Sequence, residues 1–457
     1  MGWREIGQTS FIAVIFSGFA VGAAAPSKNF AVTSSAIQLK VDKFTMENGL
    51  TVLLHVDNTL PIVSYQTWFR VGSRNEEVGY TGLAHLFEHL MFKGSKRYSG
   101  KDFDRILHAN GATNNAFTSH DYTGYYENLP SDKLELVMDI EADRMAHLSI
   151  TPEHLKSERD VVKEERRFRV DNDVEGTLSE MMWSTVFKVH PYRSPISGSL
   201  RDLDRVTVEK AQDFYRQYYA PNNAVIVVAG AFDPGQVKSW LKKYYGTIPA
   251  QKIENRAIPQ EPAQRGARSM RLAREVKNST FLVAFRAPKA GDPDAYALDL
   301  LASVLGEGGS SRLYKRLVYR EQLATAVFAS NYSLRDPGVF QVFVSLRPGA
   351  QYQKAANLIY AELWQVRNKP VVELELIKAR NMVMKHYIEG LKTIAGKAHA
   401  LALNEIIFGD YTMFFRDLAE YEKVTVADLQ RVAKTYLQPQ QRSVVLVAPK
   451  AAEEIQP

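Results

Sequence analysis

His85, Glu88 and His89 lie in the pentapeptide His-Leu-Phe-Glu-His. On an α-helix, residues four apart share a face, so His85 and His89 would project side by side and could grip one divalent cation. Glu88 would stand beside the same ion. The order H-x-x-E-H reverses the H-E-x-x-H of zinc-peptidase helices. A catalytic zinc usually takes three protein ligands and keeps a position open for water. No cysteine occurs in the chain, so the third ligand must be a histidine or a carboxylate.

The acidic run Glu158 to Glu165 offers that ligand. If Val161 and Val162 face the core of a helix, Glu158 and Glu165 flank them on the same side, and Glu164 turns away with Asp160 and Arg167. Carboxylates on a buried helix face are unfavourable unless a positive charge compensates them, and a zinc ion would do so. Taken alone, this helix would better suit a solvated face on which both glutamates pair with arginines such as Arg159 or Arg166. Beside H-x-x-E-H the metal reading is preferred, with Glu164 as the fallback ligand. It assigns His85, His89 and Glu165 as zinc ligands and Glu88 as the general base that takes a proton from water. Glu158 would orient one of the histidines through its free ring nitrogen. Of the other histidines, His55, His108, His120, His147, His154, His386 and His399 are expected at the surface or in the core. His190, in a loop before Pro191, is expected to order a wall without being catalytic.

These residues must be positioned by elements that occur twice. Val206-Thr207-Val208 recurs as Val424-Thr425-Val426, 218 positions later, and at that offset Gln212 meets Gln430, Tyr218 meets Tyr436 and Pro221 meets Pro439. Each segment predicts a threonine-capped helix, a proline stop and a buried strand. Such agreement indicates internal duplication. Strands are predicted at 63–71 and 280–285, helices at 81–92 and 295–305, and further helices at 156–168 and 376–387. The fold class is therefore α+β, with two related halves at 38–250 and 269–450. Each half would have a mixed or antiparallel sheet, and residues 251–268 would form the linker. The second half lacks the chemistry: the apolar run Leu298 to Leu305 stands where the histidines would recur.

Length and composition agree. A chain of 457 residues with 45% hydrophobic and 24% charged side chains can bury several cores. A net charge of +6 without a dense basic run argues against nucleic acid as a partner. Arg4, the apolar stretch Phe11 to Val21 and the small residues Gly22 to Ala25 resemble a secretory signal over 1–24. Pro26 moves the expected cut to Ala23 or Ala24, and export to the periplasm is expected. That stretch is too short to span a bilayer, so no stable membrane span is expected after signal removal.

Several segments together resemble the insulinase/pitrilysin metallopeptidase family, in particular bacterial members akin to the subunits of mitochondrial processing peptidase. They are Gly82 to Gly94 around the motif, Glu158 to Glu165, His190-Pro-Tyr, Tyr219-Ala-Pro-Asn222 and the glycine-rich Gly306 to Arg312. The resemblance implies two homologous α/β-sandwich halves enclosing a chamber, with one zinc on the first half. It implies peptide or unfolded polypeptide substrates, and an edge strand at Asn115, Ala116, Phe117 and Thr118 that pairs with substrate backbone. Family members acting alone carry an Arg and a Tyr in the second half that hold substrate. Arg320 matches the first, but Thr325 occupies the place of the second. This implies a homologous partner without zinc, or a homodimer. The competing reading is a non-catalytic structural or assembly subunit, against which the intact His85, Glu88, His89 and Glu165 argue.

Overall fold

A computed structural model describes residues 38–254 and 256–450. The expected signal segment lies outside the described residues. Eleven strands form two mixed sheets. The first contains β1 (Asp42–Thr45), β2 (Thr51–Val56), β3 (Ile62–Phe69), β4 (Thr113–Thr118), β5 (Thr123–Pro130) and β6 (Ala224–Gly230), in the order β1-β2-β6-β3-β5-β4. The second contains β7 (Arg268–Arg274), β8 (Thr280–Arg286), β9 (Ala324–Tyr332), β10 (Val339–Leu346) and β11 (Ser443–Pro449), in the order β7-β11-β8-β10-β9.

The duplication is visible strand by strand. In the first sheet β6 runs parallel to β2 and antiparallel to β3. In the second, β11 runs parallel to β7 and antiparallel to β8. The helices preceding these central strands, Val208–Tyr218 and Val426–Tyr436, each span 11 residues. Thr207 and Thr425 cap them by accepting from Lys210 N and Asp428 N at 3.2 Å. A side chain that satisfies a free amide at the helix start explains why the Val-Thr-Val signal survives in both copies. Both sheets are mixed, and β6 is buried along its whole length because helices cover both of its faces.

Those covers are exchanged between the halves. Helix Val174–Val186 of the first half sets Leu178, Met182 and Val186 against Leu282, Val445 and Val447 of the second sheet. Its counterpart, helix Ile394–Phe408, sets Ala398, Leu401 and Ala402 against Leu53, Val225 and Val227 of the first sheet. Each half therefore completes the other's apolar core. Polar contacts fasten the same junction: the loop between β9 and β10 brings Asp336 to Arg74 (2.5 Å) and His190 (3.1 Å). Next to it, Arg335 N donates to Asp121 at 3.0 Å. His190 thus helps fasten the junction of the halves. Among the described residues no helix is long and apolar enough to cross a membrane.

Candidate metal centre and cavity

The motif helix runs Leu83–Leu90, shorter at both ends than the pattern predicts. Its start is set by backbone strain. Gly82 has φ of 94°, and a Cβ there would lie 2.9 Å from Gly198 Cα, so the helix cannot extend back to Thr81. The Glu76 carboxylate accepts from Gly82 N and Ala84 N, both at 2.8 Å, and takes over the role of a cap. Leu83, Leu86, Phe87 and Leu90 pack into the first core, which fixes the roll of the helix and turns His85 and His89 together towards helix Pro152–Arg166. Thr151 caps that second helix, accepting from His154 N, with Pro152 in its first turn.

Across the two helices, ligand atoms of His85, His89 and Glu165 all lie within 4.8 Å of one another. Glu165 Oε2 is 3.1 Å from His89 Nε2, and Oε1 is 3.8 Å from His85 Nε2. Glu164 points into solvent, paired with Arg167. Two imidazole nitrogens and a carboxylate oxygen converging on one point are the donor set a zinc ion takes. The electrostatics favour a cation there. Burial holds His85 below its usual value, as a neutral imidazole. Burial also opposes charge on His89, but the carboxylates of Glu158 and Glu165 prevail and raise it to about 9. Despite burial, His89 and His85 hold Glu165 down at about 2. The carboxylates thus favour a proton on His89, which a metal ion bound there would displace.

Two details differ from the sequence reading. Val161 is 46% exposed, and Val162, with Leu155 seven residues before it, anchors the helix in the core. This still fixes the face, since Glu158 and Glu165 lie four before Val162 and three after it. Glu158 finds its compensating charge in Lys93, at 2.7 Å, with Ser157 donating at 3.0 Å. Its other oxygen stands 3.7 Å from His89 Nδ1, beyond hydrogen-bond length. Glu165 does pair with an arginine, but with Arg169, at 2.6 Å.

Glu88 and Glu165 line a cavity of 730 Å³ between the halves. Thr118, the last residue of β4, donates to Glu88 Oε2 at 2.7 Å and so aims the carboxylate. Strand β4 is the sheet edge, paired only with β5, and Asn115, Ala116 and Phe117 line the same cavity. Ala395, Gly396 and His399 of the second half close it from the other side. His120 also lines it. His120 and His399 were expected to be plain surface or core residues, and no local pattern distinguishes them, because their walls come from distant segments. Arg320 ends a π-helical turn at the surface, outside the cavity lining, and Thr325 donates to Ser345 O at 3.2 Å.

Comparison with known proteins places this arrangement. Residues 51–199 match the insulinase (peptidase family M16) profile and residues 205–383 the profile described as peptidase M16 inactive domain. The second match begins near the end of the first half and runs through most of the half without the histidine pair. The chain belongs to the insulinase family of peptidases, M16. It is 31% identical over 421 residues to the zinc protease PqqE of Helicobacter pylori, covering 90% of this chain and 93% of that protein. It is 28% identical over 420 residues to a zinc protease of Mycobacterium leprae, covering 91% and 94%. A crystal structure of a protease from Helicobacter pylori superposes with a TM-score of 0.85 at 30% identity, over 90% of this chain and 100% of that one. A structure titled peptidase M16 inactive domain, from Pseudomonas fluorescens, shares the fold with a TM-score of 0.81 at 17% identity, over 92% and 100%.

Proposed function

We propose that this chain is a zinc endopeptidase hydrolysing peptides or extended segments of unfolded polypeptide, with zinc held by His85, His89 and Glu165. The observation that carries this reading is the convergence of those three donors beside Glu88 in one cavity. When bound, zinc supplies Lewis acidity that activates water and polarises a carbonyl. The rest is the work of the chain. Glu88, held by Thr118, takes the proton of the attacking water and returns it to the leaving amine. The free edge of β4 binds substrate through backbone hydrogen bonds, which accept many sequences. Neutral His85 keeps a ring nitrogen free to act as a ligand.

Glu88→Gln removes the base and spares the ligands. Zinc content should stay at one per chain while peptide hydrolysis disappears, and normal cleavage by this variant would refute the mechanism. Arg320 at the surface and Thr325 in place of tyrosine support a further proposal, that a homologous chain without zinc, or a second copy of this one, supplies substrate contacts for full activity. Robust hydrolysis by the purified monomer would argue against it. Residues 1–24 are proposed to direct export to the periplasm, and an uncleaved N-terminus on protein from that compartment would contradict this.

A further inference from the structure

Strand β4 has two faces. Ala116 packs into the core beside the motif helix, and Thr118 reaches Glu88 on that side. Phe117 alternates onto the opposite face and stands edge-on to Trp68, with ring centroids 4.8 Å apart. Helix Ile394–Phe408 of the second half crosses this same face. It brings His399 to 4.9 Å from Trp68 and 5.6 Å from Phe117, while Tyr126 lies 6.2 Å from Phe117. Gln66 Nε2 donates to Ala395 O at 3.1 Å and ties the start of the helix to the sheet.

Trp68 is fully buried beneath this group, but Phe117, Tyr126 and His399 reach the cavity that holds Glu88. The His399 side chain is open to solvent and yet walled in by protein. That enclosure pushes its imidazole down to about 4, so the ring is neutral near pH 7. Among the described residues neither of its ring nitrogens has a hydrogen-bond partner.

We propose that Phe117, Tyr126 and His399 form a specificity pocket for an aromatic side chain of an extended peptide paired with β4, and that His399 is the second half's contribution to it. The inference rests on the peptidase reading above. A strand added to a sheet edge continues the alternation of side chains, so the neighbours of a residue facing Glu88 point to the opposite face. The wall they meet consists of ring surface and one neutral imidazole. It suits a ring packed edge-on and offers a nitrogen to a phenol. A carboxylate or ammonium would find no opposite charge among these three residues. The pocket is built from both halves, so the exchanged helix that completes the sheet also sets the substrate preference.

The test uses the zinc-loaded full chain and quenched peptides identical except for Phe, Tyr, Ala, Asp or Lys at one position, scanned along the sequence. At one position Phe and Tyr should exceed Ala by at least about tenfold in kcat/KM. His399→Ala should reduce that preference to below about threefold with zinc content unchanged. His399→Asp should turn the preference towards Lys, which loss of stability alone would not do. In parallel, the fluorescent peptides are titrated onto zinc-loaded Glu88→Gln, with and without His399→Asp. Peptides that bind and are cut, but with a positional preference neither His399 variant alters, would refute the pocket and leave the peptidase reading standing. If the wild type cuts nothing and Glu88→Gln binds nothing, the peptidase reading fails and takes the pocket with it.

Discussion

Thr118→Val isolates one hydrogen bond in the site. Valine keeps the shape and β-branching of threonine, so β4 should be undisturbed, but the hydroxyl that donates to Glu88 Oε2 at 2.7 Å is gone. A hydrogen bond to a charged group contributes about 1.5–3 kcal/mol. Glu88 is no metal ligand in the proposed site, so the loss falls on the aim of the base and not on zinc binding. With 1.36 kcal/mol to each tenfold in rate, kcat/KM should fall by roughly 10- to 150-fold. The assay is hydrolysis of a quenched peptide at saturating zinc, with metal content and melting temperature measured on the same preparation. Reduced kcat/KM with one zinc per chain and an unchanged melting point is the expected result. Activity within twofold of wild type would refute the claim that Thr118 orients the base. Lost zinc would refute it differently, by showing that Glu88 or its surroundings contribute to the metal.

Two further outcomes follow from the geometry. Glu165→Gln removes the anionic donor opposite both histidines, and zinc Kd, measured by chelator competition, should rise by more than the roughly 10- to 100-fold typical of residues that merely support a ligand. An unchanged Kd would move the ligand role to another carboxylate, with Glu164 the nearest alternative in sequence. At the junction of the halves, the hydrogen bond from His190, together with Arg74, holds the Asp336 carboxyl at about 2, below its ordinary 3.8. A lowered carboxyl stabilises the fold above its unfolded value and loses that stabilisation as pH falls through the folded one. Wild type should therefore exceed Asp336→Asn by about 2 kcal/mol at pH 7, with the difference shrinking between about pH 4 and pH 2. Parallel unfolding curves for the two proteins across that window would show that the contact contributes nothing.

The sequence by itself determined the local chemistry and the duplicated frame. His85, Glu88 and His89 are legible because their geometry depends only on the pitch of one helix. Glu165 is legible because buried Val162, seven residues after buried Leu155, fixes which face of its helix turns inward. The two halves are legible because caps, proline stops and buried strands are short-range signals that duplication left in register. What only the tertiary structure decided are contacts between segments far apart in the chain. Lys93 neutralises Glu158, Thr118 aims Glu88, and helix Ile394–Phe408 crosses to the other half and carries His399 into the cavity. A lysine, a threonine and a lone histidine are each unremarkable in sequence. They gain a role only when burial of apolar faces fixes the distances between them, because charge pairing and hydrogen bonding act over a few ångströms, whatever the separation along the chain.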